Sequence, residues 1–279
     1  MPRPDFLVIG AAKCGTTTLC SLLGRHPEVF VHPEKELNFF CFDELYARGF
    51  AWYARKFDRA EGRRAVGEGS PNYAKRHKHP LAAERIAKHL PDARLLYIVR
   101  HPLRRMESAW LHARRSGHRS SASFSRTLRS QPTYLDASLY ERQIDAYRAH
   151  FPDARILVLF LDDLRARPQE TLARAFAFLG VDPAVRVPDA ESALNVSAGK
   201  RVDRLLLRGL RRLPGFERFD RRAPRAWRRF RTRFLRREMA GRPVWDDATR
   251  RWAVEQLAEP TARFLVRYGK PADYWDLER

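Results

Sequence analysis

Short apolar runs alternate with amphipathic stretches along the chain up to about residue 194. Phe6-Leu-Val-Ile9, Arg94-Leu-Leu-Tyr-Ile-Val99 and Arg155-Ile-Leu-Val-Leu-Phe160 are almost free of polar positions. Runs without polar alternation belong to strands buried on both faces, the parallel type. Two shorter candidates are His26–Val31 and Ala65–Glu68. Between these runs a period near 3.6 predicts helices over Thr16–Arg25, Leu81–His89, Arg104–Arg115, Leu139–His150 and Pro168–Leu179, the last closed by Gly180. Pro91-Asp92 and Pro152-Asp153 mark the turns into the two longer strands.

Strands alternating with helices predict an α/β fold, a parallel sheet flanked by helices on both faces. The 279 residues suit one large domain or two small ones, and one domain over 1–279 is the simpler expectation. There is no internal repeat and no long Gly/Ser linker. Ser116–Thr133 is polar and serine-rich and predicts a mobile loop near the substrate. From about Asn195 the chain turns basic, and 200–240 is expected to be a basic helical segment of the same domain.

Charge adds a question about partners. Fifty-four Lys and Arg against thirty-three Asp and Glu leave a formal net charge of +21. That balance fits an acidic substrate, a nucleic acid or anionic membrane surface, or an arginine-rich solvated surface. The run Lys200–Arg237 favours an acidic acceptor or a peripheral membrane contact, because its arginines crowd rather than scatter. No recognised nucleic-acid motif accompanies the charge, so a specific nucleic-acid partner is not expected. No apolar run approaches a membrane span, and the first strand follows Met1-Pro-Arg-Pro-Asp5 directly, which predicts a cytoplasmic protein. Cys14, Cys20 and Cys41 form no metal-spaced set and are expected to be reduced thiols.

The chemistry concentrates where the first strand ends. Gly10-Ala-Ala-Lys-Cys-Gly-Thr-Thr-Thr18 joins that strand to a helix through small residues, one lysine and three hydroxyls. A strand that runs into a helix this way leaves unpaired N–H groups and the positive end of the helix dipole facing an anion. The expected sheet is therefore P-loop-like. The nucleoside triphosphatase pattern G-x-x-x-x-G-K-[ST] fails here, because Thr16 stands where its lysine belongs and Lys13 lies inside the loop. The same dipole and Lys13 would lower the Cys14 thiol pKa and make it sensitive to alkylation. At the end of the next long strand, Arg100 stands where an NTPase often holds magnesium with an acidic residue, which suits an anion without a metal.

Lys13-x-Gly15-Thr16-Thr17-x-Leu19 resembles the 5'-phosphosulfate loop of sulfotransferases that use 3'-phosphoadenosine 5'-phosphosulfate (PAPS). Arg100-x-Pro102-x-x-Arg105-x-x-Ser108 resembles their 3'-phosphate element. Pro33-Glu-Lys-Glu-Leu-Asn-Phe-Phe40 is similar to the Lys-Glu-x-His-Phe-Phe element of heparan-type members, and Asn195–Arg201 to their cofactor-closing loop. The resemblance covers Phe6–Arg201. It implies Lys13 as the group stabilising charge on the bridging oxygen, with Cys14, Gly15, Thr16, Thr17 and Thr18 around the 5'-phosphate. It also implies Arg100 and Ser108 at the 3'-phosphate, Lys200 and Arg201 over the nucleotide, and Glu36 as catalytic base. PAPS would be the co-substrate, with no metal required.

Glu68, just beyond a strand end, is the rival base, and His101 a weaker one. Phe39, Phe40, Phe50, Trp52 and Tyr53 either line an acceptor or adenine pocket or form core. Trp110 is expected to anchor its helix. Two departures bear on the acceptor. Asn38 replaces the heparan-type histidine, and Gly69 replaces a lysine. The implied acceptor is a hydroxyl or amine of a glycan, glycolipid or natural product, with an anionic one favoured by the basic run. A P-loop kinase or nucleotide hydrolase is the first alternative reading, and a basic nucleic-acid-binding protein working through Lys200–Arg237 is the second.

Overall fold

The computed structural model describes residues 3–34, 36–115, 123–194, 201–203, 236–238 and 243–278. β1 (Phe6–Gly10), β2 (Val29–Val31), β3 (Ala65–Gly69), β4 (Arg94–Val99) and β5 (Ile156–Phe160) form a parallel sheet in the order β2-β3-β1-β4-β5. Among the described residues the α-helices are α1 (Thr16–Leu23), α2 (Asp43–Tyr46), α3 (Phe50–Ala54), α4 (Ala82–His89), α5 (Pro102–Arg115), α6 (Phe124–Ser130), α7 (Thr133–Asp136), α8 (Tyr140–Arg148), α9 (Leu161–Ala166), α10 (Pro168–Leu179), α11 (Ala190–Leu194) and α12 (Asp247–Arg267).

The alternation of side chains along a strand divides the core between the two sheet faces. Phe6, Val8, Leu96 and Ile98 pack with Leu19, Leu22 and Leu23 of α1 and with Leu172, Phe176 and Leu179 of α10. Leu7, Ile9, Leu95, Tyr97 and Val99 face the other way, into a larger aromatic layer that includes Tyr53, Trp110, Tyr140 and Phe264. Burying each such side chain contributes about 2 kcal/mol, so β1 and β4 form a rigid floor. In the sheet β1 is flanked by β3 on one side and β4 on the other. The crevice beyond their carboxyl ends is where doubly wound sheets bind ligands.

Five predicted strands and five predicted helices are found, with shifted ends. The strand expected from His26 begins only at Val29, because His26 and Pro27 form a turn. In that turn His26 N donates to the Leu23 carbonyl at 3.1 Å and Val29 N to the His26 carbonyl at 3.1 Å. The predicted loop Ser116–Thr133 is partly corrected. Residues 116–122 lie outside the described residues, but α6 follows, with Ser123 Oγ accepting from Arg126 N at 3.3 Å. Phe124 is buried against Trp110, with ring centroids 5.4 Å apart, so Trp110 does anchor α5.

The basic segment is corrected where it is described. β6 (Arg201–Asp203) and β7 (Arg236–Glu238) are strands, not helix, and pair antiparallel. Their register sets Arg201 opposite Glu238 and Asp203 opposite Arg236. The rest of 200–240 lies outside the described residues. The hydrophobic pattern predicts nothing over 247–267, where α12 begins with Asp246 Oδ1 accepting from Thr249 N at 2.7 Å. Pro260 lies inside α12 and reads in sequence as a breaker, but it is buried packing through Leu257, Phe264 and Leu265 that holds the helix.

Candidate active site

The loop between β1 and α1 is shaped by two left-handed residues, Lys13 at φ 73° and Gly15 at φ 91°. A Cβ at position 15 would also lie 2.8 Å from Leu161 Cδ1, so glycine is required on both counts. Gly15 is the N-cap of α1 and offers no side-chain oxygen, which leaves the first-turn N–H groups to an outside acceptor. Lys13 and Thr18 are half-buried, Thr17 is exposed and Thr16 is buried. The loop is pinned from the neighbouring strand by Ala11 N donating to the Ile98 carbonyl at 2.7 Å.

Arg100 stands immediately after β4, half-buried, with Nη1 reaching the Lys13 carbonyl at 3.5 Å. The two predicted anchors are therefore adjacent. Tyr140, fully buried on α8, ties them together: its hydroxyl donates to the Arg100 carbonyl at 2.7 Å and lies 3.5 Å from Cys14 Sγ. Ser108 is half-buried on α5, about two turns beyond the strand end. Arg105, from the same motif, has another role. It is buried and donates from Nε to Ser138 Oγ at 2.6 Å and from Nη2 to the Tyr134 carbonyl, which locks α5 to α7.

The Cys14 expectation is corrected. Its thiol is fully buried, and burial pushes its pKa up against the lowering effects of Tyr140, Arg105 and Arg100. The helix dipole does not activate a sulfur sealed from water. Lys200 lies outside the described residues, and of Arg201 only the backbone, in β6, is described.

The second half of the site is built from the segments after β2 and β3. Ala74 N donates to the Ile9 carbonyl at 3.0 Å, which draws the loop after β3 against the end of β1. Glu36 is half-buried at φ 62°, within Coulombic reach of Glu68 and of Lys75. Glu68 is wholly buried. It accepts from Tyr73 Oη at 2.6 Å and Tyr53 Oη at 3.3 Å on Oε1, and from Ser70 Oγ at 2.7 Å on Oε2. Burial raises its pKa to about 7, and Glu36 adds to that rise, while the three hydroxyls oppose it. Lys75 is half-buried, with Nζ donating to Asn72 Oδ1 at 2.6 Å, and burial lowers its pKa.

This raised carboxylate has a stability consequence. Between 4.5, its ordinary value, and about 7, the unfolded chain releases the Glu68 proton while the folded chain keeps it. Stability therefore falls as pH rises through that window and is level above it. Glu68→Gln removes the titration, so its melting temperature relative to the wild type should climb by several degrees from pH 4.5 to pH 8. A constant difference in melting temperature across that range would show that Glu68 is not a buried acid.

The structure also sorts the remaining candidates. Phe39, Phe40 and Tyr53 are fully buried and pack on one another, with Phe39 and Tyr53 stacked at 4.6 Å, so these three are core and not a pocket wall. Trp52 is covered by the Arg48 guanidinium at 4.0 Å, and Phe50 stacks on His89 at 4.8 Å. His101 is turned to the C-terminal segment, with Nε2 2.9 Å from the Asp276 carbonyl, and burial lowers its pKa. Ser70, Asn72, Lys75 and Tyr140 escape sequence reasoning. The first three sit in Gly69-Ser-Pro-Asn-Tyr-Ala-Lys75, a polar loop after a strand end, which is the signal that points to them. Among the described residues no cluster of His, Cys, Asp or Glu is arranged to hold a metal ion.

Residues 3–197 match the model of the sulfotransferase domain family. Among curated proteins, the chain is 36% identical over 110 residues to the membrane-associated sulfotransferase kil1 of Dictyostelium discoideum, covering 38% of this chain and 22% of that protein. It is 28% identical over 193 residues to heparan sulfate glucosamine 3-O-sulfotransferase 5 of Mus musculus, covering 65% and 55%. The chain thus spans between about a fifth and about half of the length of these relatives. Among solved structures, a sulfotransferase from Alicyclobacillus acidocaldarius superposes over 100% of both chains with a TM-score of 0.69 and 25% identity. The match over 3–197, the whole-chain superposition and the paired anchors at β1 and β4 agree: the chain belongs to the sulfotransferase family.

Proposed function

We propose that the chain transfers the sulfuryl group of PAPS to a hydroxyl or amine of a glycan, glycolipid or natural-product acceptor. The observation that carries this reading is the junction of the two anchors, with Arg100 Nη1 on the Lys13 carbonyl and Tyr140 joining Arg100 to Cys14. One nucleotide with phosphates at both ends suits such a pair. The uncapped start of α1 and the left-handed turn at Lys13 and Gly15 fit its 5' end, and Arg100 with Ser108 its 3' end. PAPS supplies the activated sulfuryl group when bound.

In this reading the N–H groups and hydroxyls of Gly15, Thr16, Thr17 and Thr18 hold the 5'-phosphate. Lys13 balances the negative charge that grows on the leaving oxygen. Glu36 takes the proton of the attacking acceptor atom, and the fixed floor of β1 and β4 keeps the groups in line. Lys200 and Arg201 cover the nucleotide. Asn38 and Gly69, where heparan-type members carry histidine and lysine, argue for an acceptor other than heparan, and the arginine run in 200–237 favours an anionic one. Incubation with radiolabelled PAPS and a cell extract, with a chelator present, should label a product. Labelling that requires this protein, ATP and magnesium, with none from PAPS, would establish a kinase instead.

A further inference from the structure

Glu36 and Asn38 both stand in the left-handed region, at φ 62° and φ 53°, although neither is glycine. Each such residue costs about 1 kcal/mol or more, so contacts from outside the turn must hold it. Those contacts converge on Asn38. Its backbone N–H donates to Ser70 Oγ at 3.0 Å, its Nδ2 donates to the Glu36 carbonyl at 2.8 Å, and its Oδ1 accepts from Asn72 Nδ2 at 3.1 Å. Asn72 is itself held by Lys75 Nζ at 2.6 Å.

The arrangement has a direction. Ser70 can turn a lone pair to Asn38 N–H because its own proton points to Glu68 Oε2, and the other carboxylate oxygen is occupied by Tyr73 and Tyr53. A wholly buried carboxylate with three hydroxyl donors is sealed from any acceptor, which removes Glu68 as a rival base. It lies within Coulombic reach of Glu36, which adds to the rise in its pKa. The two departures from the heparan-type pattern belong to the same place. A side chain at position 69 would run into Cys20 Sγ, and Asn38 supplies both a donor and an acceptor to the clasp.

We infer that Glu68 is a positioning residue: through Ser70 and Asn38 it holds the left-handed turn that places Glu36. The inference rests on the proposed role of Glu36 in transfer. Ser70→Ala should speed hydrogen exchange at the Asn38 amide by about tenfold, with the phosphate-loop amides 11–19 unchanged. With radiolabelled PAPS and a cell extract as acceptor source, the same variant should lower transfer by about ten- to a hundredfold, with affinity for adenosine 3',5'-bisphosphate kept within about twofold. In a Glu36→Gln background, Ser70→Ala should cause no further loss, because both changes remove one function. Glu68→Gln should repeat the pattern. Asn72→Ala, at a half-buried position, should show it at smaller size even where Ser70→Ala does not fold.

Unchanged exchange at Asn38, or losses that multiply in the double variant, would overturn the inference while leaving the proposed function standing. A wild-type protein that transfers nothing from PAPS would overturn the proposed function and this inference together.

Discussion

Replacing Lys13 with alanine is expected to lower transfer by about a hundred- to a thousandfold, with affinity for adenosine 3',5'-bisphosphate nearly unchanged. The split follows from where the lysine sits. In the proposed reading the product nucleotide is held by the N–H groups of α1 and by Arg100, neither of which the substitution removes. What is lost is a cation whose interaction grows as the sulfuryl group departs and charge collects on the bridging oxygen. An interaction made only in the transition state lowers kcat and leaves ground-state binding alone. Steady-state transfer measured beside calorimetric binding of the bisphosphate makes the test. Equal losses in the two would reduce Lys13 to a phosphate ligand, and an intact rate would remove it from the site.

The second large effect is at Glu36. Glu36→Gln preserves size and hydrogen-bonding reach but cannot take a proton, and transfer should fall by about a hundred- to ten-thousandfold. Its backbone turn is held through the Glu36 carbonyl and the Asn38 amide, so the variant should keep its fold and its nucleotide affinity. Near-normal transfer by Glu36→Gln would show that the acceptor loses its proton elsewhere, and the sealed surroundings of Glu68 would then point to solvent.

Fold class was legible because its signals are local. The unbroken apolar runs of β1, β4 and β5 and the periodic helices between them carry the parallel sheet in their own composition. The helix α12 was not, since its stability comes from burial of Leu257, Phe264 and Leu265 against distant elements while Pro260 argues locally against it. The stretch 123–133 misled for a similar reason: its serines read as loop, yet Ser123 is a helix cap and Phe124 and Leu128 are buried. Phe39, Phe40 and Tyr53 show the limit for aromatics, whose side chains suit a pocket wall and a core equally until their neighbours are known.

The sequence by itself marked the loop after β1 and the arginine after β4 as candidate anion anchors, because their residue types suit anion chemistry at a strand end, and its resemblance to heparan-type members marked Glu36 as the candidate base. Only the tertiary structure decided how these pieces cooperate. It joined Lys13 to Arg100 through contacts 87 positions apart and buried Cys14 so that its thiol is held protonated. It also separated Glu36 from Glu68 by exposure, leaving the first half-buried and the second inside a cage of hydroxyls. Both are glutamates beside strand ends, and no local pattern distinguishes them. Glu68 is enclosed by Ser70 and Tyr73 of the loop that follows it and by Tyr53 of α3, and these close over it only once Tyr53 and Tyr73 pack into one core layer.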